Sequence, residues 1–190
     1  MPPPLTLAQA LAFAAFIALA LAIFVFFRRA SRLVADSRHA EQFRAAAADL
    51  IGRLEATLDA VSPRIDEVRH HRLQADSIAG DLGATSDALA GYTSDARALD
   101  GPGDAVSIRD ELLTELERLA RAVQMVEHGC AILVAARSEF REPEAQTSIK
   151  RGYLSILHAR ESIGRLATRA AAVGEVRRLP RFAGRRSPGA

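Results

Sequence analysis

The chain has 190 residues, of which 25 are Lys or Arg and 23 are Asp or Glu, for a formal net charge of +2. With an apolar N-terminal stretch set aside, roughly 160 residues remain, enough for one domain and its core. Trp is absent, Tyr occurs twice, and no stretch alternates apolar and polar residues as a half-buried strand does, so the expected fold is all-α. Lys150 is the only lysine, a bias expected of a GC-rich bacterial genome and not of guanidinium chemistry. Cys130 is the only cysteine, which excludes an intrachain disulfide and a multi-thiolate zinc site.

After a short tail, residues 1–4, the stretch Leu5–Phe27 predicts a transmembrane helix. Residues 10–27 are eighteen consecutive apolar residues, and the whole stretch matches a hydrocarbon core of about 30 Å. The first nine residues contain no Lys or Arg, which argues against a cleaved signal peptide. Arg28, Arg29, Arg32 and Arg38 follow the span. By the positive-inside bias they predict an outward N-terminus and a cytoplasmic C-terminal part, in a bacterial inner membrane. Ala10, Ala14, Ala18 and Ala22 make a small-residue stripe that permits helix pairing in a bilayer, though alanine is frequent throughout the chain.

Four matched helices are expected over residues 28–179. Phe43, Ala47, Leu50, Leu54, Leu58 and Val61 step by three and four along the first, which should end near Val61. Ser62-Pro63 reads as an N-cap and first helical residue, with Asp66 and Glu67 in the opening turn of a second helix. The second stripe is Ile65, Val68, Ile78, Leu82, Leu89, Tyr92, Ala96 and Leu99, diluted by Gly80, Gly83 and Gly91. Asp100-Gly101-Pro102-Gly103-Asp104 is a loop. Ser107 with Asp110 resembles a capping box opening the third helix. There Leu112, Leu116, Leu119, Val123, Val126, Cys130 and Leu133 repeat in strict four-three steps, widened by Leu113, Ala120 and Val134. Glu142-Pro143 starts the fourth helix, with Ile149, Gly152, Ile156, Ala159, Ile163, Leu166, Ala170 and Val173 on one face, until Leu179-Pro180.

These breaks give helices of roughly 34, 37, 36 and 37 residues, each about 50 to 55 Å long. Near-equal lengths and short turns suit an up-down-up-down bundle in preference to a coiled-coil hairpin array. Such a bundle returns the chain's end to its beginning. Residues 28–144 carry 15 basic and 21 acidic side chains, whereas 145–190 carry 10 and 2. The tail 180–190 should be disordered. Arg177, Arg178, Arg181, Arg185 and Arg186, together with Arg28, Arg29 and Arg32, are therefore candidate contacts for anionic lipid.

Chemistry is sparse. Glu67-x-x-His70 has the spacing of a di-iron half-site, with Asp36-x-x-His39 as a possible mate. With a hinge at Ser62, however, His70 lies some 20 Å along the axis from His39, so no shared metal is expected. His158, with Arg160 and Glu161 after it, is distantly reminiscent of phospho-accepting histidines on helical bundles of bacterial phosphorelays but lacks their surrounding motif. No phosphate loop, dinucleotide glycine pattern or nucleophile with a base is present. The expectation is no cofactor, no small-molecule substrate and no enzyme. No recognition motif or stacking aromatic series points to nucleic acid. The partners expected are the lipid bilayer and a protein, or a second copy of the chain, bound through the helical faces of a scaffold or adaptor. The alternative is a membrane-anchored sensory or signalling module, for which Gly80 to Ser94 is where converging buried polar residues should be sought.

Overall fold

A computed structural model describes residues 7–135 and 141–174; within residues 7–36, side chains are described only at Phe16, Leu19, Leu21, Ile23 and Phe24. The described residues form four α-helices and one short 3-10 turn, with no strand. They are α1, Leu7–Arg69; the 3-10 turn Ala75–Ile78; α2, Ala79–Ala98; α3, Gly103–Ala135; and α4, Glu142–Ala171. The chain divides into two compact units, Met1–His39 and Ala40–Ala190.

The second unit is a closed bundle. Thr57 meets Tyr92 and Arg64 meets Ser77, so α1 and α2 run antiparallel. Ser86 bonds Glu127 across α2 and α3. Ser148 bonds Met125 and Arg169 bonds Glu111 across α3 and α4. Arg160 pairs with Asp59, and Arg44 donates to the Val173 carbonyl, which brings α4 back against α1. These last contacts close the ring and distinguish a bundle from an open hairpin array.

Every residue expected on the faces of the first and fourth helices is buried, from Phe43 to Val61 and from Ile149 to Val173. The four-three spacing of α3 likewise places Leu112, Leu116, Leu119, Val123, Val126 and Cys130 inside. At about 1.5 to 3 kcal/mol for each fully buried aliphatic side chain, this shared core holds the four helices together. Val134, expected to widen the α3 face, is instead 62% exposed, and Ile132 takes the inward place.

The helix boundaries differ from expectation at several points. The break expected at Ser62-Pro63 is absent: α1 continues through Pro63 to Arg69. Its apolar face carries on through Ile65 and Val68, both buried, and Pro63 lies on the exposed side, where the carbonyl of Asp59 can be solvated. The reversal comes instead at 70–74, where His71 adopts φ 57° and Arg72 N–H donates to Glu67 O at 2.8 Å. The second arm is correspondingly short, 20 residues in α2 after a 4-residue 3-10 turn. The helices are therefore not equal in length.

The loop before α3 is confined to residues 99–102, and α3 begins at Gly103, with Asp104 in its first turn. Ser107 thus lies inside the helix, its hydroxyl donating to Asp104 O at 3.2 Å, and does not cap it. Helix α4 starts at Glu142-Pro143 as expected but ends at Ala171, short of Leu179, and Gly174 follows in the left-handed region at φ 81°. The expected breaks and tail beyond residue 174 lie outside the described residues.

Candidate interaction surface

Two ends and four seams define what the bundle can present. At one end α1 enters the second unit at Ala40, and the α2–α3 loop and the close of α4 gather around it. A β-carbon on Gly101 would stand 3.0 Å from the Phe43 ring and 2.7 Å from Ala105 Cβ, so only glycine lets the loop lie this close. Gly174 packs on Ala40, its would-be β-carbon 2.9 Å from the alanine's. Arg44 Nη1 donates to Val173 O at 3.1 Å, placing a cation on the carbonyl end of α4. The chain's last described residues thus sit beside the first residues of the bundle, as the four-helix pattern requires.

At the other end, Asp66 collects Arg69, His70 and Arg72 within 2.6 to 3.5 Å. The hydrogen bonds from Arg69 hold the Asp66 carboxyl below its usual range, aided by the charges of Arg69, His70 and Arg72. Arg69 also lies over the Tyr153 ring, 5.0 Å from its centroid. Arg69 and Arg72 therefore neutralise Asp66 at the carbonyl end of α1, where cations are favoured.

Along the seams, Arg53 donates to both Asp49 and Asp95 at 3.0 Å and stands 5.5 Å from the Tyr92 ring centroid. Its pKa is raised, chiefly by the bond to Asp95. Arg64 pairs with Asp81, and Arg169 clasps Glu111 with two hydrogen bonds that keep the Glu111 carboxyl low. Each pair is partly or largely exposed, and such contacts set register more than they add stability.

The polar stretch Gly80 to Ser94 does not converge on a common point. Thr85 is buried but donates to its own helix at Asp81 O, 2.7 Å away, and Thr93 does the same to Leu89 O. Ser86 is engaged by Glu127 and Tyr92 by Thr57, on opposite sides of α2.

A shallow groove of about 580 Å3 runs between α1 and α4, with Ala45, Ala48, Gly52, Ala167 and Ala171 among its lining and Glu41 and Glu55 on its rim. A β-carbon added at Gly52 would meet nothing within 4 Å. Sequence reasoning missed this feature, although small residues on the side of α1 away from its apolar stripe were the available signal.

The residues with chemical potential are dispersed. His39 and His70 stand 31 positions apart in the sequence, on opposite sides of the division between the two units. The hinge assumed between them does not exist. Among the described residues no group of His, Cys, Asp or Glu is arranged to hold a metal ion. His158 is exposed on the outer side of α4. Cys130 is buried in the core, where desolvation, with Glu127 nearby, pushes its thiol up to about 11. Arg28, Arg29 and Arg32 belong to α1, but their side chains lie outside the described residues, as do Arg177, Arg178, Arg181, Arg185 and Arg186 altogether.

In the first unit, Phe16, Leu19, Leu21, Ile23 and Phe24 are between 48% and 68% exposed. At about 100° per residue they spread over roughly 200° of the helix circumference. Among the described residues no helix is long and apolar enough to cross a membrane, and most of the expected span Leu5–Phe27 falls on side chains outside those described. Comparison with protein families, with curated proteins and with solved structures finds no match for the chain.

Proposed function

We propose that this chain is a membrane-anchored scaffold. In this reading Leu5–Phe27 crosses a bacterial inner membrane, N-terminus outward, and the bundle stands on the cytoplasmic side, offering its helical faces to a protein partner or to a second copy of itself. One observation carries the reading: the two units treat apolar surface in opposite ways. The second unit buries most of its large apolar residues, with Leu54, Leu58, Leu116 and Leu119 wholly inaccessible and only scattered exceptions such as Val134 and Leu154 exposed. The first leaves Phe16, Leu19, Leu21, Ile23 and Phe24 bare around more than half of a helix. Such a surface is stable in hydrocarbon and costly in water, at about 25 cal/mol per Å2.

The eighteen apolar residues at 10–27 and the arginines after them support a span and its orientation. The outward faces of the bundle are long, of mixed charge and tied by exposed ion pairs, which suits recognition by another helical surface. Gly174 stands at Ala40, where the chain enters the bundle, and the arginines that follow in sequence, from Arg177 on, are suited by their charge to an anionic inner leaflet.

Extraction of membranes with alkaline carbonate tests the anchor: the protein should stay with the bilayer, and release into the supernatant refutes the reading. Protease added to sealed, right-side-out vesicles should leave the bundle intact. A pull-down from solubilised membranes that recovers neither a partner nor a second copy counts against a scaffold.

A further inference from the structure

We infer that the outer seam between α3 and α4 is the docking groove for an acidic, amphipathic helix of a protein partner. The groove holds about 620 Å3 and is lined by Arg118, Arg121, Met125 and His128 from α3 and by Ser148 and Ser155 from α4, with no carboxylate in its lining. Its cations are unusual in this bundle for lacking acidic mates. Within the second unit, every described arginine other than Arg97, Arg121 and Arg151 lies 3.9 Å or closer to a carboxylate. Two of the three exceptions, Arg121 and Arg151, belong to this seam, and both are exposed. Arg121 moreover stands in a stretch, residues 28–144, where acidic side chains outnumber basic ones by 21 to 15. An uncompensated cation pair there is a local inversion of charge, and it selects an anionic partner.

The shape of the groove narrows the class. Gly152 packs on Val126, and Ser148 donates to Met125 O at 2.8 Å, so Arg151, next to Gly152, stands level with the middle of the α3 row. Ser148, Arg151 and Ser155 follow one another at three- and four-residue spacing on one face of α4. From Arg118 to His128 the row covers about 15 Å, at ~1.5 Å per residue. The cations are thus strung along the seam and do not ring a point, which suits an elongated anion better than a single phosphate. Met125, part-buried between the two helices, gives the floor an adaptable apolar surface, which the aliphatic stems of Arg118 and Arg121 extend. A helix laid along the seam meets both demands, with carboxylates at three- and four-residue steps facing the row and an apolar residue over Met125. The lining holds no aromatic side chain on which a nucleic-acid base would stack. Such a partner presupposes the scaffold reading but not the membrane span.

The test is fluorescence anisotropy of a labelled, alanine-rich helical peptide with glutamates at three- and four-residue spacing and one leucine beside them, titrated with the full chain in neutral detergent. Binding above that to micelles alone should saturate, and should be tighter by about tenfold or more than that of the same peptide with Gln for each Glu. Arg121→Glu with Arg151→Glu should weaken it by about tenfold or more, whereas Arg97→Glu, on α2, should change it by less than about twofold. Salt at 0.5 M should weaken it several-fold. Arg121→Gln with Arg151→Gln is the milder pair should charge reversal disturb the bundle, whose helicity is read by circular dichroism. Equal binding by the wild-type chain and both double variants would overturn the inference. So would displacement of the peptide by phosphatidylserine added to the micelles, or equally tight binding of an oligouridylate, since the groove would then take lipid or RNA. A dimer that the same substitutions dissociate in sedimentation would overturn it in favour of a second copy. A partner recovered from solubilised membranes and still held by the double variants would overturn the groove and leave the scaffold standing. Retention after carbonate extraction is read separately, so loss of peptide binding and loss of the anchor are distinguishable outcomes.

Discussion

Gly152 lies so close to Ala122 that a β-carbon on the glycine would stand 2.7 Å from the alanine's carbonyl oxygen, and 2.6 Å from Val126 Cγ2. The relationship is mirrored lower on the same pair of helices, where a β-carbon at Gly129 would stand 2.9 Å from Ala145 O. Each helix thus offers a glycine to the other's backbone, and α3 and α4 approach more closely there than side chains would allow. Gly152→Ala should therefore destabilise the bundle by about 1–3 kcal/mol, as overpacking does, despite the ~1 kcal/mol gained in helix propensity. Gly164→Ala, where a β-carbon meets nothing within 4 Å, should instead gain about 1 kcal/mol. Urea unfolding followed by circular dichroism at 222 nm, on the full chain in detergent, separates the two. Equal effects would mean that α3 and α4 do not approach as closely as their glycines allow.

The same seam protects Cys130. With its thiol raised to about 11, only about one part in a thousand is thiolate at pH 8, and the thiolate is the reactive form. Maleimide labelling of the native protein at pH 8 should be slower than that of the urea-unfolded chain by at least a hundredfold, since burial adds to the shortage of thiolate. Comparable rates would place the thiol at the surface.

Acid should loosen the bundle through particular carboxylates, one at an end and one along a seam. Asp66, held low by hydrogen bonds from Arg69, and Glu111, held low by those from Arg169, have folded-state pKa values below their ordinary ones of 3.8 and 4.5. A carboxylate depressed in this way contributes stability that is fully present above its unfolded pKa and is lost as pH falls through the folded one. Unfolding midpoints measured from pH 6 to pH 2 should decline most steeply below about pH 4.5, and the decline should be shallower in Asp66→Asn and Glu111→Gln. An unchanged slope in both variants would show that other carboxylates carry the acid transition.

What could be read from the sequence was what burial writes into spacing. Leu112 to Cys130 and Ile149 to Val173 repeat at threes and fours because each faces one core, and the structure buries them all. Local punctuation was less informative. Ser62-Pro63 has the chemistry of a helix start, yet burial of Ile65 and Val68 carries α1 past it, a tertiary gain that no local rule weighs. The turn at 70–74 contains neither glycine nor proline. Its signal was the basic run Arg69 to Arg72, which suits the carbonyl end of a helix. The groove beside Gly52 left no signal in an apolar stripe, because it is formed by the absence of side chains. The lipid-contact arginines were chosen by charge alone, and burial tells nothing about them.

The displaced turn leads to a paired prediction. Pro63 has no N–H for the Asp59 carbonyl, and its ring crowds the preceding turn, a cost of about 3 kcal/mol in a helix interior. Here the cost is tolerated because the residue is exposed and the buried side chains on either side hold the helix in line. Pro63→Ala should therefore raise stability, by up to about 3 kcal/mol, without moving the turn. If Pro63 were the true start of a second helix, the alanine would instead be neutral or harmful. His71, at φ 57°, lies where a β-carbon costs about 1–2 kcal/mol. His71→Gly should gain part of that, offset by the glycine's greater freedom in the unfolded chain, whereas the β-branched His71→Val should lose stability. Opposite signs for the glycine and valine variants, measured by the same urea transitions, would locate the reversal at residue 71, eight positions beyond the proline.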